Sequence, residues 1–193
     1  MRTGVVVSCL VLLAGALGGG GCARDPYVYP SIVEEHGPWE IERHLDRVTG
    51  RGIASAFVAN RNGSHTSEFF TQPVGVQLLC FKQKPIVRFA FSAKIGSNRN
   101  AMIGYSFDDK PGREIQGRFI AGQKNVIIED HTEVTQFVKE LAESQVLYVR
   151  IRALNFGRST AEFPTEGAQA AIDTAYAGCP LTAPKIRQAD ARS

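Results

Sequence analysis

The sequence predicts a mainly β, α+β domain: an antiparallel β-sandwich or partly closed barrel with two helices in its C-terminal half. Three observations predict it. From residue 39 to about 129 the chain is a succession of short segments in which apolar and polar residues alternate, the period of a half-buried strand. The connections between these segments are a few residues long and rich in Gly, Asn, Asp and Pro, which suits antiparallel neighbours. Beyond residue 130 the apolar period lengthens twice to helical spacing.

The elements follow in order. Trp39, Ile41 and Leu45 alternate with Glu40, Glu42, His44 and Asp46 in a first strand. Residues 53–59 make a second, and Asn60-Arg61-Asn62-Gly63-Ser64 reads as a turn or loop. Val76, Leu78 and Cys80 share one face of the next strand, which directs Cys80 to the core. Lys82-Gln83-Lys84-Pro85 then reverses the chain into Val87, Phe89 and Phe91, completing a hairpin. Ile103, Tyr105 and Phe107 form a strand ended by Asp108-Asp109-Lys110-Pro111-Gly112. Ile115, Gly117 and Phe119 oppose Glu114, Gln116 and Arg118 in another, and Gly122-Gln123-Lys124-Asn125 leads into Val126-Ile127-Ile128.

Asp130 and Glu133 have capping-box spacing ahead of Val134, Phe137, Val138 and Leu141, an amphipathic helix. Leu147, Val149 and Ile151 then alternate cleanly with Tyr148, Arg150 and Arg152, and Asn155-Phe156-Gly157 turns this strand into residues 159–163. Thr165 is expected to cap a last helix that turns Ala168, Ala171, Ile172 and Ala175 inward. Gly178 and Pro180 are expected to end it. Residues 181–193 have no period and read as a frayed tail.

The N-terminus follows the grammar of a bacterial secretion signal: Arg2, an apolar run over residues 5–17, then small residues leading to Gly21-Cys22. That run is shorter than the roughly 20 residues of a membrane-spanning helix. A cysteine after a small residue is also the acylation site of bacterial lipoproteins. Lipidation at Cys22, with Ala23 suiting outer-membrane sorting, therefore stands beside simple cleavage. The expected division is a signal at 1–22, a tether with little regular structure at 23–38, a β-rich domain at 39–180 and the tail at 181–193. Export makes the cysteine count informative. Cys9 leaves with the signal, and if Cys22 carries lipid, Cys80 and Cys179 are the natural disulfide pair, the alternative being two buried thiols.

Hydrophobic residues make up 44% of the chain and charged residues 21%, as in a globular protein. The formal net charge is +3, too small to point to nucleic acid. His36, His44, His65 and His131 show no metal-ligand spacing, no cofactor motif is present, and no nucleophile motif occurs. Asp108-Asp109 precedes Lys-Pro-Gly and reads as a turn rather than a catalytic carboxylate pair. What remains is surface: Tyr148, Arg150 and Arg152 share one strand face, with Arg158 beyond the next turn, and Tyr and Arg are enriched where proteins bind partners.

The C-terminal half carries a resemblance. Phe137-Val138-Lys139-Glu140-Leu141, Leu147-Tyr148-Val149-Arg150-Ile151, Ala161-Glu162-Phe163-Pro164-Thr165-Glu166-Gly167, Ala170-Ala171-Ile172 and Cys179 run in an order that resembles the type VI secretion-associated VasI/TagO-type envelope proteins. Upstream, Trp39, Leu78-Leu79-Cys80 and Tyr105-Ser106-Phe107-Asp108-Asp109 are similar as well. Periplasmic domains of the invasion-associated locus B type share a comparable ending. The resemblance implies a non-enzymatic accessory protein of the envelope, with envelope proteins as partners and no catalytic residues to carry over. Two other classes are a small periplasmic cell-wall hydrolase, which needs a pocket joining His44 or His131 to a carboxylate, and an inhibitor of a periplasmic enzyme, which needs a protruding loop near residues 60–71.

Overall fold

The computed structural model describes residues 32–60, 62–65, 73–91, 94, 100–120, 122, 124–153 and 157–181. The expected signal segment, Cys22 and the residues beyond 181 lie outside the described residues. Among the described residues eleven strands form one antiparallel sheet: β1 (Ile32–His36), β2 (Trp39–Leu45), β3 (Gly52–Ala59), β4 (Asn62–His65), β5 (Pro73–Phe81), β6 (Lys84–Phe91), β7 (Asn100–Phe107), β8 (Arg113–Ile120), β9 (Asn125–Ile128), β10 (Val146–Ala153) and β11 (Gly157–Pro164). Their order is β1-β2-β3-β5-β6-β9-β8-β7-β10-β11-β4.

Two consequences of that order shape the molecule. β4 follows β3 almost directly in the chain, yet it pairs with β11 at the far end of the sheet. Chain continuity thus draws the far edge back toward the third strand and rolls the sheet around one core, and β11 approaches β3 and β5. The hydrogen-bonded ladder itself stays open. This mainly antiparallel β fold with two C-terminal-half helices is the class that the alternation and short connections imply.

The inner face holds the core. Trp39, Ile41, Val76, Leu78, Val87, Phe89, Ile103, Phe107, Val126 and Leu147 are all buried there. Helix α1 (His131–Ala142) lays Val134, Phe137, Val138 and Leu141 onto it. The Phe137 ring meets Phe89, Tyr105 and Phe107 edge-on, with centroids 6.1, 5.1 and 5.4 Å away. That geometry adds about 0.5–1.5 kcal/mol per pair beyond area burial. Helix α2 (Ala168–Ala175) buries Ala168, Ala171, Ile172 and Ala175. These mostly small side chains let it settle close over β2, β3 and β5.

Helix α2 is also fastened chemically. Cys179, just beyond α2, is bonded to Cys80 on β5 across a sequence separation of 99 residues. In the chain-entropy description a loop of that size contributes on the order of 4–5 kcal/mol. The Tyr176 hydroxyl donates to the Ile86 carbonyl at 2.9 Å, and burial pushes this phenol's pKa upward.

Several local expectations are corrected. Residues 32–36, placed in the tether, form β1 and pair with β2. Arg43 holds this edge by pairing with Glu34 and donating to Thr174 of α2 at 3.2 Å. Part of the expected loop at residues 60–64 is strand β4, because β11 offers it a free edge. Thr165 does not cap α2: its hydroxyl donates to the Ser144 carbonyl. The cap position is Gly167, at φ 79°. A side chain on Gly167 would strike the His36 carbonyl, 2.3 Å from an ideal Cβ, so the β1–β2 turn and the start of α2 meet backbone to backbone. Gly178 is not in the left-handed region among the described glycines, and Tyr176 is the C-cap. The capping box is half formed. Asp130 accepts from the Glu133 amide at 3.0 Å, while the Glu133 carboxylate turns to Arg113.

Candidate binding groove on the outer sheet face

The outer face is built by the strand period. Along β10, Leu147, Val149 and Ile151 enter the core, so Tyr148, Arg150 and Arg152 must face outward. Register then fixes their neighbours. Arg150 lies opposite Gly104 on β7 and Thr160 on β11, and Tyr148 lies opposite Ser106 and Glu162. Gly104 in turn lies opposite Glu114 on β8.

The two outward positions of β7 opposite these residues are a glycine and a serine, which leave room above the sheet. They become the floor of a groove of about 650 Å³. Tyr148 and Arg150 line it from β10, Arg113 and Glu114 from β8, Thr160 and Glu162 from β11. The Arg150 guanidinium lies across the floor: its Nη2 reaches Glu114 Oε1 at 3.4 Å, and an ideal Cβ on Gly104 would sit 3.4 Å from that same nitrogen. Arg150 Nε is buried without a hydrogen-bond partner among the described residues. Tyr148 is 40% exposed.

The charges in the groove are balanced, two guanidiniums against two carboxylates. Arg113 is shared with the helix layer, standing 3.4 Å from Glu133 and 3.9 Å from Glu140 of α1. Behind the floor, Tyr105 points inward. Burial raises its phenol to about 12, with Glu140 and Glu133 adding to the rise and Arg113 opposing it, so it is a neutral hydroxyl at any ordinary pH. The groove's chemistry is therefore hydrogen bonding, aromatic contact and one half-buried guanidinium held by a long contact. It suits recognition of polar chain with a side chain to stack on Tyr148.

The four surface residues singled out from sequence divide. Tyr148 and Arg150 line the groove. Arg152 and Arg158 face each other across β10 and β11, outside its lining. What the sequence reading missed are the floor and the opposite wall: Gly104, Ser106, Glu114, Thr160 and Glu162. A signal for the floor was present, since Gly104 and Ser106 interrupt Ile103, Tyr105 and Phe107 with minimal side chains, but strand order was needed to place them beside Arg150.

The other candidates fall elsewhere. Asp108 takes the left-handed conformation at φ 49°. Its carboxylate accepts the Gln145 and Val146 amides at 2.9 Å each, and these two bonds hold its pKa below the usual carboxylate range. It ties the end of β7 to the start of β10. His44 and His131 line neither of these two grooves. Among the described residues no group of three or more His, Cys, Asp or Glu side chains is placed to share a metal ion. Within residues 60–71, Asn62–His65 is a paired strand rather than a protruding loop, and residues 61 and 66–71 lie outside the described residues. No described helix is long and apolar enough to cross a membrane.

Comparison with protein-family models, curated proteins and solved structures found no match to this chain.

Proposed function

We propose that the protein is a non-enzymatic accessory protein of the bacterial envelope that binds a partner protein through the groove over β7. The observation that carries this reading is the Gly104–Ser106 floor flanked by Tyr148 and Arg150. It is a concave, solvent-facing site whose residue types recur in interface hot spots. The surface ion pair of Arg150 and Glu114 contributes little to stability, so Arg150 is available to a partner at small cost. The Cys80–Cys179 bond favours an oxidising compartment, in keeping with an export signal and with a periplasmic site of action. Lipid on Cys22 would anchor the protein to the outer membrane and leave the domain free in the periplasm. The resemblance to VasI/TagO-type proteins adds that the partner belongs to a secretion apparatus.

The test is site-specific photo-crosslinking in intact cells. A photoreactive residue replacing Tyr148 should capture one discrete envelope protein, and Arg150→Glu in the same chain should abolish that adduct. The same probe at Lys139, on the exposed side of α1, should capture nothing. Equal capture from both positions, or an adduct indifferent to Arg150→Glu, would refute the groove as the binding site. Mass spectrometry of the membrane fraction should find the mature N-terminus at an acylated Cys22; a different N-terminus removes the anchor.

A further inference from the structure

The outer face carries a second groove, of about 500 Å³, where β5, β6, β9 and β8 lie side by side. Half of its lining is apolar: Leu79, Phe81, Ile86, Ile120 and Ile127. Phe81 is 55% exposed whereas Ile127 is 3% exposed, so the groove has an aromatic lip in water and a dry base. An outward sheet face normally carries polar side chains at such positions, and a concave apolar strip of this size is the usual form of a small-ligand site.

Arg88 stands within it, opposite Gln77 on β5 and Ile127 on β9. Its Nε is buried and has no hydrogen-bond partner among the described residues. Burial draws the guanidinium's pKa down from its ordinary value, yet an arginine remains charged at neutral pH. A half-buried cation without a counter-charge is unfavourable. The nearby carboxylate does not supply one: Glu129 is engaged by Arg118 through two contacts of 2.7 Å. Lys82 and Lys84, at the β5–β6 turn, add positive charge to the rim. The site thus offers an apolar trough, an unmatched guanidinium inside it and a cationic edge.

We infer that this groove binds a soluble amphiphilic monocarboxylate, with its carboxylate on Arg88 and its apolar tail along Leu79, Ile86 and Ile127. A planar carboxylate matches the guanidinium fork. A groove of this size accommodates a tail of roughly eight to twelve carbons. This inference is independent of the partner site over β7, which uses other residues.

Decanoate is the probe, titrated into the disulfide-bonded mature chain and followed by amide NMR, with decanol and phosphatidylglycerol vesicles as separate arms. Decanoate should shift the Leu79, Arg88 and Ile127 amides saturably. Both decanol with the native chain and decanoate with Arg88→Met should bind at least about tenfold more weakly, the effect of losing one charge-assisted hydrogen bond. Arg88→Met keeps the apolar stem and should unfold at the native temperature; should it not fold, Arg88→Lys replaces it, with weakened binding expected. Saturable shifts that survive Arg88→Met unchanged, or no saturable shifts, overturn the inference. So does binding to vesicles without binding of decanoate, which would make this face a membrane contact.

Discussion

The two faces of the rolled sheet use the same residue types to opposite ends. On the inner face aromatic rings meet one another: Phe137 is surrounded by Phe89, Tyr105 and Phe107. Polar groups there divide: Tyr176 donates to the Ile86 carbonyl, while Trp39 Nε1 and the Tyr105 hydroxyl are sealed in the core without a partner among the described residues, out of a ligand's reach. On the outer face Tyr148 and Phe81 are open to solvent, and two guanidiniums, Arg88 and Arg150, each keep a buried Nε without a partner among the described residues. Polar groups committed to internal bonds stabilise the fold. Polar groups left unmatched in concave places are what a ligand can recognise.

If the comparison is right, substitutions on the inner face should cost stability and those on the outer face should cost binding. The largest effect is expected at Phe137. Phe137→Ala empties the centre of the α1 contact and should cost about 3–5 kcal/mol, read from urea unfolding; a loss under about 1 kcal/mol would mean that α1 is loosely seated. Next comes the staple. Replacing Cys80 and Cys179 together with alanine should cost about 2–5 kcal/mol, seen as a lower unfolding midpoint that the native chain reproduces when reduced.

Asp108→Ala is expected to rank third, at about 1–2 kcal/mol near pH 7, because two backbone amides lose a charged acceptor. The pH dependence has a definite sign. The folded pKa of Asp108 lies below its unfolded value, so its stabilisation is present above the unfolded value of about 4. It fades as pH falls through the lower folded one. The gap between native and Asp108→Ala proteins should therefore narrow on acidification; a gap that widens would contradict the assignment. Smallest should be the outer face. Tyr148→Ala should move stability by no more than about 0.5 kcal/mol while removing partner capture, and a large destabilisation would show that Tyr148 is structural.

How much of this was legible beforehand follows from which interactions are local. Alternation revealed the inward residues of β5 to β8 and of β10 one by one, since a side chain's face depends on its parity alone; the unbroken apolar run of β9 carries no such signal. The disulfide was legible from counting: with Cys9 and Cys22 assigned to the expected signal, Cys80 and Cys179 are the two cysteines that remain. Strand order was not. β4 is defined by pairing with β11, nearly a hundred positions away, and nothing in Asn62-Gly63-Ser64 announces it. Thr165 illustrates the same limit. It has the composition of a cap, but the Ser144 carbonyl, brought close by tertiary packing, takes its hydroxyl. The groove over β7 was half legible. Tyr148 and Arg150 stand out in one strand, whereas the floor beneath them belongs to another.

Under the proposed function, covalent closure of the inner face belongs to a protein working outside the cytoplasm, where its outer face is exposed to partners. Peptide mapping of the chain recovered from fractionated cells, without reductant, tests it most directly. The chain should be recovered from the envelope with the Cys80 and Cys179 peptides linked. Recovery from the cytosol with both thiols free would contradict it.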